Sequence, residues 1–132
     1  MKAKDLIELA GTAAQNAYAP YSNFRVGAAL LCTDGTIITG VNVENRSFGL
    51  TNCAERSAIF AAISSGKKHF SAIAINCIDA DYPVSPCGAC RQVISEFTEK
   101  GFPVYFAGKT GEIIETTIGE LYPYDALHEL KQ

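Results

Sequence analysis

A chain of 132 residues with net charge −3, a pI near 5.3 and 48% hydrophobic residues can build one compact soluble domain with a real core, needing neither disulfide nor metal merely to fold. Its scattered basic residues and acidic balance exclude a partner held by phosphate neutralisation, so no polynucleotide partner is expected. The N-terminus lacks the apolar stretch of a secretory signal and no apolar run approaches the ~20 residues that span a bilayer, which predicts a cytoplasmic protein with no membrane partner, whose five cysteines serve as metal ligands, catalytic groups or core residues rather than disulfides.

In chain order, Ala3, Leu6, Ala10, Ala13 and Ala17 recur at spacings of three and four, which predicts a helix ending before Pro20 with a small-residue stripe suited to close packing on a sheet. Residues 24–32 and 36–43 are rich in Val, Ile, Leu and Thr and flank an Asp34-Gly35 pair, the pattern of an antiparallel hairpin. Residues 51–65 carry Ala54, Ala58, Ile59, Ala61, Ala62 and Ile63 and read as a buried helix closed by Gly66. The apolar run 71–78 has the character of a central strand covered on both faces. Ser85 and Pro86 are placed as cap and first residue of another helix reaching about Lys100. Strands at 103–107 and 112–118, separated by a turn at 108–111, then short helical pieces, complete the order. The expected fold is α/β, a single domain over 1–132 with three α-β-α layers around one mixed sheet of about five strands.

Chemistry concentrates in Cys53-Ala54-Glu55 and in Pro86-Cys87-Gly88-Ala89-Cys90, each at an expected helix start. Cys87 and Cys90, three apart, project from one side of a first helical turn, where helix N-termini favour thiolates. Cys53 supplies a third ligand, and a zinc site with three protein ligands keeps its fourth position for water or substrate. Glu55 then stands beside that open position as a general acid and base, moving a proton from water to the substrate nitrogen and on to a leaving amine. Three thiolates around Zn²⁺ leave a formal charge of about −1. Arg56 and the two helix N-termini are the available compensation.

These pieces resemble the small, homotetrameric zinc-dependent cytidine deaminases. The resemblance extends to residues 19–30, 40–45, 53–56 and 86–93 in that family's order and spacing, and reaches from the first helix to about Leu121. It implies a cytidine deaminase-like fold and hydrolytic deamination of cytidine and 2′-deoxycytidine to the uridine products and ammonia, with one Zn²⁺ per subunit held by Cys53, Cys87 and Cys90. It also implies that Glu55 shuttles protons, Phe24 packs on the pyrimidine, Asn42 and Glu44 bond the ribose hydroxyls, and the backbone at Ala54 and Ser85 holds the base edge. Arg56 would hydrogen-bond the thiolates. The nucleoside would be bound in sites shared between subunits of a homotetramer.

The chain departs from the family pattern at Arg46 and at Ala126, where the C-terminal aromatic is missing, and these two positions bear on which nucleoside or analogue is used, a blasticidin-type compound being the alternative substrate; Phe48, where the family often has Tyr, is a smaller change that removes one hydroxyl. Two other readings of the cysteines exist. A thioredoxin-type redox pair would use Cys87 and Cys90 but has no use for Cys53 or Glu55. A structural zinc in a binding module would need a fourth ligand, for which Cys77 is the candidate. Cys32 and Cys77 otherwise read as core residues in strands.

Overall fold

The computed structural model describes residues 1–131. Helix α1 (Ala3–Ala14) precedes the hairpin of β1 (Val26–Cys32) and β2 (Ile37–Val41). Then come α2 (Ala54–Ser64), β3 (Phe70–Cys77), α3 (Gly88–Phe97), β4 (Pro103–Gly108), β5 (Ile113–Thr117) and the single turn α4 (Ile118–Leu121), with 3-10 turns at Phe48–Leu50 and His128–Leu130. The strands make one sheet in the order β2-β1-β3-β4-β5. β1 is antiparallel to β2 and β3, β3 runs parallel to β4 across the α3 crossover, and β5 returns antiparallel to β4. The mixed five-stranded α/β sheet expected from the sequence is therefore present, with β3 at its centre.

Alternation along the strands divides the core. Ala28, Leu30, Ile73, Ile75, Val104 and Phe106 point to one face, where they meet Ala54, Ala58, Ile59 and Ala62 of α2 and Ile94 of α3. The intervening Ala29, Ala72, Ala74 and Ala107 point to the other, under Leu6, Ile7 and Ala10 of α1. Bulk lies on the face that carries the cysteine motifs, and small residues let α1 lie close to the opposite one. Two glycines set the helix-to-sheet distances. A Cβ on Gly27 would stand 2.7 Å from the amide nitrogen of Ala14, and one on Gly40 would stand 2.6 Å from the Ala54 carbonyl oxygen and 2.9 Å from Ala58 Cα. Both helices thus pack backbone against backbone.

Several element ends differ from the sequence expectation: α3 closes at Phe97 rather than about Lys100, β1 opens at Val26 rather than 24 and β2 covers only Ile37–Val41, and at three helix ends a hydrogen bond outside the helical ladder accounts for the difference. α1 stops at Ala14 rather than running past Ala17, because Tyr18 is drawn into a bridge with Val43 and its N–H donates to the Asn42 carbonyl. α2 starts at Ala54 because Asn52 is held extended by two bonds to Val43. α3 starts at Gly88, with Cys87 and not Ser85 in the capping position: the Ser85 hydroxyl and the Pro86 carbonyl both receive hydrogen bonds from Arg91. The local turn signals hold. Gly35 adopts φ +89° in the hairpin turn, and Gly66 at φ +86° ends α2 with bonds from Gly66 N–H to the Ile63 carbonyl and from Lys67 N–H to the Ala62 carbonyl.

The contact at Gly40 is testable. Gly40→Ala forces a methyl group against backbone atoms that have no rotamer to yield, so it should destabilise the fold by about 1–3 kcal/mol. A lowered urea midpoint with an unchanged m-value is the expected measurement.

Candidate metal and active site

The first turns of α2 and α3 meet over one end of the sheet. Cys53 is the N-cap of α2 and Cys87 the N-cap of α3, and neither uses its side chain to cap its own helix. Both sulfurs are instead turned to each other, with Sγ atoms 3.8 Å apart, and Cys90, one turn into α3 and fully buried, completes a group whose three Sγ atoms all lie within 4.8 Å of one another. A tetrahedral zinc with Zn–S of about 2.3 Å would set its ligand sulfurs about 3.8 Å apart. The cluster therefore fits a zinc ion. Among the described residues it holds three donors, and Cys77, buried at the end of β3, is not one of them.

Charge at the cluster is unevenly distributed. The Cys53 thiol is drawn down to about 5, first by a hydrogen bond from Cys90, against the cost of burial and with help from Arg56. The same bond to Cys53, together with burial, pushes the Cys90 thiol upward. A divalent cation held among the sulfurs would let all three ionise together. Arg56 donates from Nη2 to Cys53 Sγ at 3.2 Å, placing a fixed positive charge against the sulfurs.

Glu55 lies between Cys53 and Arg56 in sequence but turns inward and is only 4% exposed. Burial pushes its carboxyl up to about 7. A carboxyl poised near neutrality can both accept and release a proton, which an exposed glutamate near its usual value does poorly. Ala54 is buried beside it, pressed on Gly40.

Phe24, Asn42 and Glu44 gather along an adjoining edge. The bridges Tyr18–Val43 and Val43–Asn52 lay residues 42–44 between the end of the first helical segment and the residue before Cys53. Within this edge, the buried Asn42 accepts from the Val26 N–H at 2.9 Å and donates to the Phe24 carbonyl at 2.8 Å, which fixes the backbone on both sides of Arg25. Glu44 accepts from the Tyr21 and Ser22 N–H groups at 2.9 and 3.1 Å and from the Ser22 hydroxyl. Partial burial opposes ionisation of Glu44, yet the bonds from Ser22 and Tyr21 outweigh it and keep its carboxyl below the usual range. Phe24 remains 38% exposed on this edge. Ser22, whose hydroxyl also accepts from the Phe24 N–H, links Glu44 to Phe24 and has no sequence pattern that marks it.

Ser85 lies two residues before Cys87, its hydroxyl bonded by Arg91. Arg46 is exposed beyond Glu44, and Phe48, 75% exposed, stands edge-on to Tyr21. Ala126 falls in the exposed C-terminal segment.

Comparison with known proteins agrees with this geometry. A cytidine deaminase from Sporosarcina psychrophila is 51% identical over 123 residues, 93% of this chain and 90% of the relative. A crystal structure of cytidine deaminase from Burkholderia pseudomallei superposes with a TM-score of 0.90 at 46% identity, covering 95% of this chain and 99% of that one. A blasticidin-S deaminase from Bacillus cereus is more distant, 36% identical over 74% of each chain. The sequence model described as the cytidine and deoxycytidylate deaminase zinc-binding region matches residues 1–106, which takes in both cysteine motifs and Glu55, and the chain belongs to that family.

Proposed function

We infer that the chain is a zinc-dependent hydrolase that deaminates cytidine and 2′-deoxycytidine to uridine and 2′-deoxyuridine with release of ammonia. The observation that carries this reading is the buried Glu55 carboxyl, one residue from the Arg56 that bonds the three-sulfur cluster and itself close to neutrality. Zinc held by Cys53, Cys87 and Cys90 supplies a Lewis acid that makes water a nucleophile near neutral pH. Glu55 does the proton work. It accepts a proton from the attacking water and delivers it to the ring nitrogen next to C4, then takes the remaining proton of the new C4 hydroxyl and passes it to the amine, which leaves as ammonia while C4 becomes a carbonyl. Arg56 offsets the negative charge of the sulfurs through its bond to Cys53.

Phe24 packs on the pyrimidine, the backbone at Ala54 and Ser85 holds its polar edge, and Asn42 and Glu44 bond the ribose hydroxyls. This assignment draws support from the way Asn42 and Glu44 are already immobilised by the loop that carries Phe24, so that the sugar meets groups held in place beforehand. Greater identity to cytidine deaminases than to the blasticidin-S enzyme favours the nucleoside over the analogue. A structural zinc is disfavoured by the three-donor cluster.

Residues 1–132 act as one cytoplasmic domain, and four copies assemble with sites shared between subunits. No helix among the described residues is long and apolar enough to cross a membrane. The assembly is supported by apolar side chains left in solvent around the site, among them Tyr18 at 55%, Val43 at 48%, Phe48 at 75% and Leu50 at 71% exposure.

Glu55→Gln should bind zinc normally and lose activity toward cytidine by roughly 10² to 10⁴-fold, followed as the absorbance change on deamination. Near-normal turnover with zinc in place would refute the shuttle. Metal analysis separates the cysteines: Cys90→Ser should lose zinc, whereas Cys77→Ser should retain it and remain active. Light scattering should give four times the 14.1 kDa chain mass. A fully active monomer would refute both the assembly and the shared site.

A further inference from the structure

The loop that ends in Cys87 has no regular structure of its own: its first part is tied down by Arg25 on Asp79 and by the Val84 N–H on the Ala107 carbonyl, and its last two residues before the cysteine, Ser85 and Pro86, are hydrogen-bonded by one side chain. Arg91 follows Cys90 on α3, and its stem leans back along the helix toward the N-terminus, as helical side chains do. Its three guanidinium nitrogens go to three acceptors: Nε donates to the Pro86 carbonyl at 2.8 Å, Nη2 to the Ser85 hydroxyl at 3.2 Å and Nη1 to the Leu121 carbonyl at 2.9 Å. Among the described residues, Ser85 and Pro86 accept hydrogen bonds from Arg91 alone. The third acceptor is one of the carbonyls that α4 leaves unpaired at its C-terminus. One planar cation therefore ties the segment beside the metal cluster to the C-terminal helix.

We propose that Arg91 is a positioning residue for deamination: its guanidinium clamps Ser85 and Pro86 against α4 and so fixes the backbone that meets the edge of the base. The proposal rests on the reading of Ser85 given above. The fork matters, because an ammonium group donates from one point and cannot span acceptors on two separate segments. A second link isolates the effect. The Tyr122 hydroxyl donates to Gln92 Oε1 at 2.6 Å, docking the same C-terminal segment on α3 without touching Ser85 or Pro86.

The test compares Arg91→Gln, Arg91→Lys and Tyr122→Phe with the unaltered enzyme in steady-state deamination of cytidine, alongside zinc content and circular dichroism. Both Arg91 variants should keep one zinc per chain and a folded spectrum while the KM for cytidine rises at least about tenfold and kcat changes less than about threefold. Lysine should not rescue, and Tyr122→Phe should leave KM within about twofold. An unchanged KM in the Arg91 variants would overturn the proposal. So would an equal rise in Tyr122→Phe, which would assign the effect to docking of the C-terminal segment in general, or unfolding of both Arg91 variants, which would make the residue one of stability. An unaltered enzyme that turns over no cytosine nucleoside would refute the reading of the site itself, and the proposal with it.

Discussion

The site depends on one close approach. α2 lies with its backbone on β2 at Gly40, where no side chain can be inserted beneath Ala54 and Ala58. That contact sets the height and the rotation of the helix over the sheet, and with them the direction in which its first turn projects. Cys53, Glu55 and Arg56 all belong to that turn. A helix raised by the thickness of a methyl group would carry Cys53, Glu55 and Arg56 away from α3 together. Small residues in the stripe of α2 are thus a geometric requirement of the metal cluster as well as a packing preference.

The second constraint is electrostatic. Three sulfurs and a carboxyl are crowded together, with Glu55 and Cys90 buried, Cys53 half-buried and Cys87 exposed, and the buried part of such a group is stable only if its charges are balanced from outside it. Arg56 and the two helix ends provide that balance from the protein, since each helix begins at a cysteine whose side chain leaves the first-turn amides uncapped. Cysteine is a poor cap, and this is useful: a serine in its place would turn its oxygen back toward its own helix.

Much of this was legible in the sequence, wherever the cause is local. Asp34-Gly35 and Gly66 mark turns whose dihedral angles only a few residues accept, and both stand where the sequence places them. Cys53 with Glu55, and Cys87 with Cys90, mark the metal motif because ligand spacing on a helical turn is a short-range property. The starts of α2 and α3 and the end of α1 were not legible, since they are decided by Asn52, Arg91 and Tyr18, whose partners lie elsewhere in the chain or act against the local cap signal. For the same reason a ligand role for Asn42 and Glu44 is implied only by the family resemblance, and their bonds to Val26, Phe24, Tyr21 and Ser22 emerge only from the fold. A polar side chain on a strand advertises its chemistry but not its neighbours.

Cys53 and Cys87 are separated by 34 positions, and the chain between them contains all of α2 and the central strand β3. Joining their sulfurs through one ion closes a loop around half of the core, a constraint the unfolded chain cannot satisfy without surrendering entropy. Metal occupancy is thereby coupled to conformational stability, and the heat resistance of the protein becomes a function of the free zinc around it. A cell that runs short of the ion would hold this protein as a folded chain with a thinner margin against unfolding, its lifetime set by supply of the metal as well as by its sequence.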